Sequence, residues 1–198
     1  SGLPTGWVVL DADGDGYTWM VAPYSAQGHN GSECISSASY MNAPGPGALS
    51  PDNYLITPML DGATSVNYWV NAQDAAWAAE HYAVMASTTG TAAADFTIVF
   101  EETMTAKFTG DKGPKGTNAQ GAWYERTVEL PTGTKYIAFR HYNCTDMFWL
   151  NLDDVTVYGG EPIVTDYTYT VTKDGAEVAT GLTTTSYSQA DVAPGTYN

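Results

Sequence analysis

The sequence predicts an all-β protein, a sandwich or barrel of many short strands, and three observations carry that prediction. The 198 residues include 14 Tyr, 6 Trp and 20 Gly with only 15% charged side chains, a balance weighted toward strand formers and turns. No stretch shows a long amphipathic helical period. Clusters of Gly, Pro and Asn interrupt the apolar runs at short intervals, as turns between strands do. A chain of this length fills one well-packed domain, or one domain plus a fragment.

Taken in order, Gly6 to Leu10 reads as a first strand that runs into Asp11-Ala12-Asp13-Gly14-Asp15-Gly16. Tyr17 to Ala22 continues with Trp19 as an apolar anchor, and residues 23–33 form a loop turning at Gly28-His29-Asn30-Gly31. Cys34 to Met41 is strand-like, whereas the two prolines and two glycines of residues 42–47 cannot continue a sheet. Asp52 to Pro58 holds a short apolar strand closed by proline. Ser65 to Ala72 alternates most strictly, with Val66, Tyr68, Val70 and Ala72 on one face and Asn67, Trp69 and Asn71 on the other. Residues 74–80 allow at most a small Ala-rich turn. Glu80 to Ser87, Phe96 to Glu101, Ala122 to Leu130, Lys135 to Tyr142 and Met147 to Tyr158 complete about ten strands.

The acidic run after the first strand is the strongest chemical signal. Three carboxylates at alternate positions repel one another unless a cation joins them, and Ca²⁺, which takes six to eight oxygen ligands, suits them. The glycines let the backbone wrap closely. The pattern matches the first half of an EF-hand loop, but position twelve is Ala22, where a bidentate glutamate belongs. A calcium site here therefore uses Asp11, Asp13, Asp15 and the Tyr17 carbonyl and needs further ligands from elsewhere. The competing reading is a solvated acidic turn.

The last long strand suggests where those ligands lie. Phe148, Leu150 and Leu152 share one parity and Val155 and Val157 the other, so a regular strand would aim Asp154 at the apolar side. An unpaired buried carboxylate is costly, which predicts a bulge at Asp153-Asp154, a cation there, or both. First and last strands lie side by side in many jelly rolls, an arrangement that would bring Asp153 and Asp154 to the acidic loop.

Charge narrows the partners. Seven Lys and Arg against 22 Asp and Glu give a net charge of -15, which repels phosphate backbones and anionic lipid, so nucleic-acid binding is not expected. No apolar run reaches membrane-spanning length, so membrane insertion is not expected either. Cys34 and Cys144 are one disulfide or two thiols, and spacing does not choose between them. Both ends of the chain look cut. Residues 1–160 read as one domain. After Gly159-Gly160, residues 161–198 read as the first strands of a second, truncated β domain, with a hairpin turn at Lys173-Asp174-Gly175.

Gly6-Trp7 with the acidic run and Trp19, Asp52 to Pro58, Ala72-Gln73-Asp74 leading to Glu80-His81-Tyr82-Ala83-Val84, and Ile137 to Tyr142 through Asn151 to Val155 together resemble the cleaved adhesin domains of gingipains and haemagglutinin A. The resemblance covers residues 6–158, and the tail resembles a fibronectin-III-like segment. It implies a jelly-roll β-sandwich of galactose-binding-like or MAM-like type with structural calcium. Because they sit in the family-like motifs, Asp52, Asn53, Asp74 or Glu80 could take part in a second metal site, against the plainer reading of solvated loop acids. It also implies a place in a secreted or outer-membrane-attached virulence complex of an oral anaerobe, beside adhesin and protease domains of the same polyprotein. The implied activities are haemagglutination, haemolysis and binding of haemoglobin, fibrinogen and fibronectin.

Catalysis is not expected. Glu101-Glu102 and Glu125/Glu129 read as solvated edge acids rather than a glycosidase pair, and His29, His81 and His141 show no local zinc or triad spacing. His141 is expected to be hydrogen-bonded at the sandwich edge and Arg140 to pair with an acid. Trp77, Trp123 and Tyr124 lie in or beside loops, where large aromatics serve protein or sugar contact. The alternatives to a host-protein adhesin are a carbohydrate-binding module, with Trp77 or Trp123 as sugar platform, and a structural accessory domain of a protease complex.

Overall fold

The computed structural model describes residues 2–22, 27–159, 161–162, 169–173 and 176–182. They belong to two compact units, residues 1–162 and 163–198. Strands are numbered along the chain.

The first unit is built on two five-stranded antiparallel sheets. Sheet I has the spatial order β1 (Val8–Asp11), β6 (Asn53–Ile56), β12 (Tyr136–His141), β9 (His81–Ser87), β10 (Thr97–Thr103). Sheet II runs β11 (Tyr124–Glu129), β8 (Ser65–Ala72), β13 (Trp149–Tyr158), β3 (Ile35–Ala38), β2 (Met20–Val21). Two short ladders, β4 (Tyr40–Met41) with β5 (Gly47–Ala48) and β7 (Leu60–Asp61) with β14 (Glu161–Pro162), complete it. Ala75–Trp77 forms a 3₁₀ turn, the small turn expected there. In the second unit the described residues form one hairpin, β15 (Tyr169–Lys173) against β16 (Ala176–Leu182). The predicted turn residues Asp174 and Gly175, and most of the predicted fibronectin-III-like segment, lie outside the described residues.

Alternation drives the assembly. Val66, Tyr68, Val70 and Ala72 of β8 face inward and meet Leu55 of β6, Tyr82 and Val84 of β9, Ile137 and Phe139 of β12 and Leu150 and Leu152 of β13 in one core. Tyr68 meets Phe139 edge to face at 5.0 Å, and its hydroxyl bonds that of Tyr82 at 2.8 Å. Burial pushes the Tyr68 and Tyr82 phenols upward, well past the usual tyrosine range. Sheet I is apolar on its outer face too, where Tyr54, Ile56, Ala83, Met85, Phe96 and Ala138 form a second cluster. On the outer face of sheet II, Asn71 is fully buried. Ser36, Asn151 and Asn71 stand in register across β3, β13 and β8 and hydrogen-bond in series at 2.6 and 2.9 Å.

The expected irregularity in the last strand is present. Between Asp153 and Thr156 the register of β13 against β8 shifts by one extra residue, and Asp154 adopts φ +47°, a left-handed conformation that few non-glycine residues take. The bulge returns Val155 and Val157 to the core face.

The first and last strands are not neighbours, which corrects the expectation from jelly-roll precedent. β1 pairs with β6 in sheet I, while β13 lies in the middle of sheet II between β8 and β3. The acidic run is the crossing between the sheets, leaving β1 and delivering the chain to β2.

Candidate functional site

The acidic loop holds Asp11, Asp13 and Asp15 with carboxylate oxygens all within 4.8 Å of one another. Backbone N–H groups of Gly14 and Gly16 donate to Asp11 at 2.8 Å each, and Tyr17 N–H donates to Asp15 at 2.7 Å. Gly14 and Gly16 have φ +74° and +84°, so the turn needs them. The Gly16 amide holds the Asp11 carboxyl below its ordinary range, whereas desolvation and the neighbouring Asp11 and Asp15 push Asp13 upward. Crowded like charges of this kind fit a hard divalent cation.

Asp153 and Asp154 do not join that group. The loop precedes Met20, and Gly16 and Tyr17 line a pocket with Ala38 and Trp149, at the Ala38 end of β3. Asp153 lies four residues beyond Trp149, about 13 Å along an extended strand, past Leu152, which pairs with Ile35 opposite Val21. Its carboxylate is engaged there, accepting from His29 N–H and Ser32 Oγ at 2.8 Å each. Asp154 meets His29 Nδ1 at 2.9 Å. The single cage closing both ends of the chain is therefore not formed by these residues, because the sheet assignment of β1 separates them.

The acids of the second suggested metal site, Asp52, Asp74 and Glu80, likewise form no common group among the described residues. Asp52 forms a two-pronged pair with Arg140 at 2.6 and 2.8 Å, the acid partner expected for that arginine. Asn53 is buried and donates to Ser37 Oγ, its Oδ1 lacking a protein partner. Asp74, fully buried, accepts from Ala76 N–H, Gly116 N–H and Asn118 Nδ2 at 2.8–2.9 Å and ties the 3₁₀ turn to the 113–118 loop. Glu80 belongs to a different cluster, described next.

At the Asn53 end the interior turns polar. Glu80, immediately before β9, and His141, the last residue of β12, both lie on the inner face and both are fully buried. His141 is thus not an edge residue. Its Nε2 lies 3.0 Å from Glu80 Oε2 and 3.2 Å from Cys144 Sγ, and Nδ1 is 2.8 Å from Ser37 Oγ. Glu80 Oε1 accepts from Ser39 Oγ at 3.0 Å and Phe148 N–H at 2.7 Å. Burial alone would lower the His141 pKa, but Cys144 and Glu80 outweigh it and hold it up at about 10. Cys34 and Cys144 are both free thiols. Sequence reasoning missed this cluster because its members are 64 residues apart at the extremes. The only local trace is the His141-Cys144 spacing.

The aromatic candidates do not share a surface. Trp77 carries Lys112 Nζ 3.3 Å above its ring, with Lys115 at 4.3 Å, and its Nε1–H donates to Gly113 O. Tyr124 packs toward the core and donates to Thr105 O. Trp123 joins a patch that spacing did not reveal. His29 stacks on Trp69 at 3.8 Å and 17°, and Trp123 stands 5.8 Å from the same imidazole. Glu101 accepts from Tyr142 and Glu102 binds Arg126 at 2.9 and 3.0 Å, so neither is a free surface acid.

Two antiparallel sheets closed over a shared core, with an acidic crossing loop and side chains presented on loops, define a jelly-roll β-sandwich module. The chain belongs to the Cleaved Adhesin Domain family, whose model matches residues 1–157. It is 48% identical to Lys-gingipain W83 of Porphyromonas gingivalis across 98% of its length, which is 12% of that protein. It is also 48% identical to Hemagglutinin A of P. gingivalis W83, covering 9% of it. The chain thus spans about a tenth of the length of these relatives. The K3 cleaved adhesin domain of Lys-gingipain superposes with a TM-score of 0.73 at 52% identity, covering 79% of this chain and 92% of that one. For the K1 domain the values are 0.72, 47%, 80% and 94%. Among the described residues no helix is long and apolar enough to cross a membrane.

Proposed function

We propose that this chain is a non-catalytic, calcium-stabilised adhesion module, secreted or held at the bacterial outer-membrane surface. Its partners are host proteins (haemoglobin, fibrinogen, fibronectin) and the erythrocyte surface, and it acts beside further adhesin and protease domains. The family match over residues 1–157, together with the 48% identity to a relative named Hemagglutinin A, carries the adhesion reading. Convergence of Asp11, Asp13 and Asp15 supports the calcium part. These three, with the Tyr17 carbonyl, would hold the ion. Its duty is structural, neutralising the crossing loop and pinning β1 to β2, so binding adds stability by mass action. The engagement of Glu101, Glu102, Asp52 and Asp74 in ion pairs and hydrogen bonds supports the non-catalytic part.

Immobilised protein in calcium-replete buffer is expected to capture at least one of haemoglobin, fibrinogen and fibronectin and to agglutinate erythrocytes. Failure with all three proteins and with cells ends the adhesion reading. Chelation, or Asp11→Ala, is expected to lower the melting temperature. An unchanged melting curve in both ends the calcium part alone. A glycan-binding role has one observation in its favour, the Trp69–His29–Trp123 patch, and binding on a glycan array that Trp123→Ala abolishes would replace the protein-adhesin reading with it.

A further inference from the structure

Glu80, His141 and Cys144 bring three different metal-ligand types together at the polar end of the core, their donor atoms within 4.8 Å of one another. The separations are informative. Tetrahedral zinc, with bonds of about 2.0–2.1 Å to N and O and about 2.3 Å to S, sets its donors about 3.3–3.6 Å apart. Here His141 Nε2 to Glu80 Oε2 is 3.0 Å, His141 Nε2 to Cys144 Sγ 3.2 Å and Cys144 Sγ to Glu80 Oε2 3.5 Å. Shifts of a few tenths of an ångström would open this triangle to the edges of a zinc tetrahedron.

The surroundings match as well. The far imidazole nitrogen is engaged by Ser37 Oγ, and the far Glu80 oxygen is fixed by Ser39 Oγ and the Phe148 amide. Partners of this kind orient metal ligands and fix the tautomer. Access exists at Cys144, which is half-buried and lines an open depression of about 290 Å³ with Ser50, Pro51, Asn143 and Thr145. Thiolate and imidazole exclude calcium as the preferred ion and favour a borderline-soft one.

The geometry points to a zinc-type site formed by Glu80, His141 and Cys144, with a fourth position for water from the Cys144 depression. Binding expels the Cys144 thiol proton and the proton held between His141 and Glu80, leaving a carboxylate, a neutral imidazole and a thiolate around Zn²⁺. The site is separate from the acidic loop and independent of the adhesion proposal.

Cobalt titration of the metal-free protein tests it. One equivalent of Co²⁺ is expected to give the near-ultraviolet thiolate-to-cobalt band and the intense visible bands of tetrahedral geometry, both bleached by Zn²⁺ and untouched by excess Ca²⁺. Cys144→Ser should abolish the thiolate band and Cys34→Ser should keep it. Ser37→Ala should weaken binding by about 10- to 100-fold, the usual cost of losing an outer partner. In the Cys34→Ser protein, Zn²⁺ should also protect the remaining thiol from alkylation, a readout independent of whether Cys144→Ser folds. No thiolate band in the folded wild type, a band that survives Cys144→Ser, displacement by Ca²⁺, or no protection overturns the proposal.

Discussion

Asp74 offers the sharpest test of how the loops are held. It is fully buried, and its two oxygens accept three hydrogen bonds: one from Ala76 N–H on Oδ1, and those of Gly116 N–H and Asn118 Nδ2 on Oδ2. Asp74→Ala leaves the Ala76 and Gly116 N–H groups without their acceptor, while Asn118 Nδ2 keeps the Gly113 and Pro114 carbonyls. At about 1–3 kcal/mol per unsatisfied donor, and with water reaching the exposed Gly116 stretch, the loss is about 3 kcal/mol. Asp74→Asn can keep its oxygen toward Gly116 and Asn118 and set its amide against Ala76, so a single bond is lost, for about 1.5 kcal/mol. A domain of this size shifts by about 2–4 °C per kcal/mol, giving decreases of about 6–12 °C for Ala and about 3–6 °C for Asn. Thermal melts by circular dichroism, with and without chelator, measure both. The decreases should be the same in either buffer, because Asp74 serves backbone and amide donors rather than an ion. Equal losses for the two variants, an Ala variant within about 1 kcal/mol of wild type, or decreases that vanish on chelation would refute this account.

Other outcomes follow from the same contacts. Asp153→Ala should loosen the 28–32 loop, seen as faster amide exchange there, yet leave the chelator-induced fall in melting temperature intact; a lost chelator response would place Asp153 among the calcium ligands after all. Gly116→Ala should destabilise by about 1–3 kcal/mol, since Gly116 has φ +79° and an added methyl would sit 2.6 Å from Phe148 Cζ; an unchanged urea midpoint would contradict this packing. Burial, then the Glu101 carboxylate, pushes the Tyr142 phenol up to about 12. The folded protein therefore keeps a proton that the unfolded chain loses near pH 10, so this contribution to stability is present below pH 10 and is lost as pH rises to about 12. Ultraviolet titration should show Tyr142→Phe removing a late-ionising phenol, with Tyr68 and Tyr82 ionising only on unfolding.

Much of the fold is local and hence legible. Strict alternation in β8 fixes its faces, and the parity break after Leu152 announces the bulge, because a strand repeats every two residues and one inserted residue flips every side chain after it. Asp11, Asp13 and Asp15 converge because they are adjacent in the chain and the intervening glycines close the turn. What the residue order does not contain is which sheet receives a strand. Two antiparallel arrangements of β1 satisfy the same alternation, and pairing with β6 rather than with β13 separates Asp153 and Asp154 from the acidic loop. Glu80, His141 and Cys144 meet for the complementary reason. Glu80 and His141 share an inward parity at the start of β9 and the end of β12, strands that become neighbours only in the assembled sheet, and Cys144 returns to them from the loop after β12, so their chemistry is written in the packing. Sequence by itself determined the β class, the strand faces, the bulge and the acidic turn, all set within a few residues. Tertiary structure alone decided which distant side chains touch, since strand order is chosen by burial of the whole core and not by any one segment.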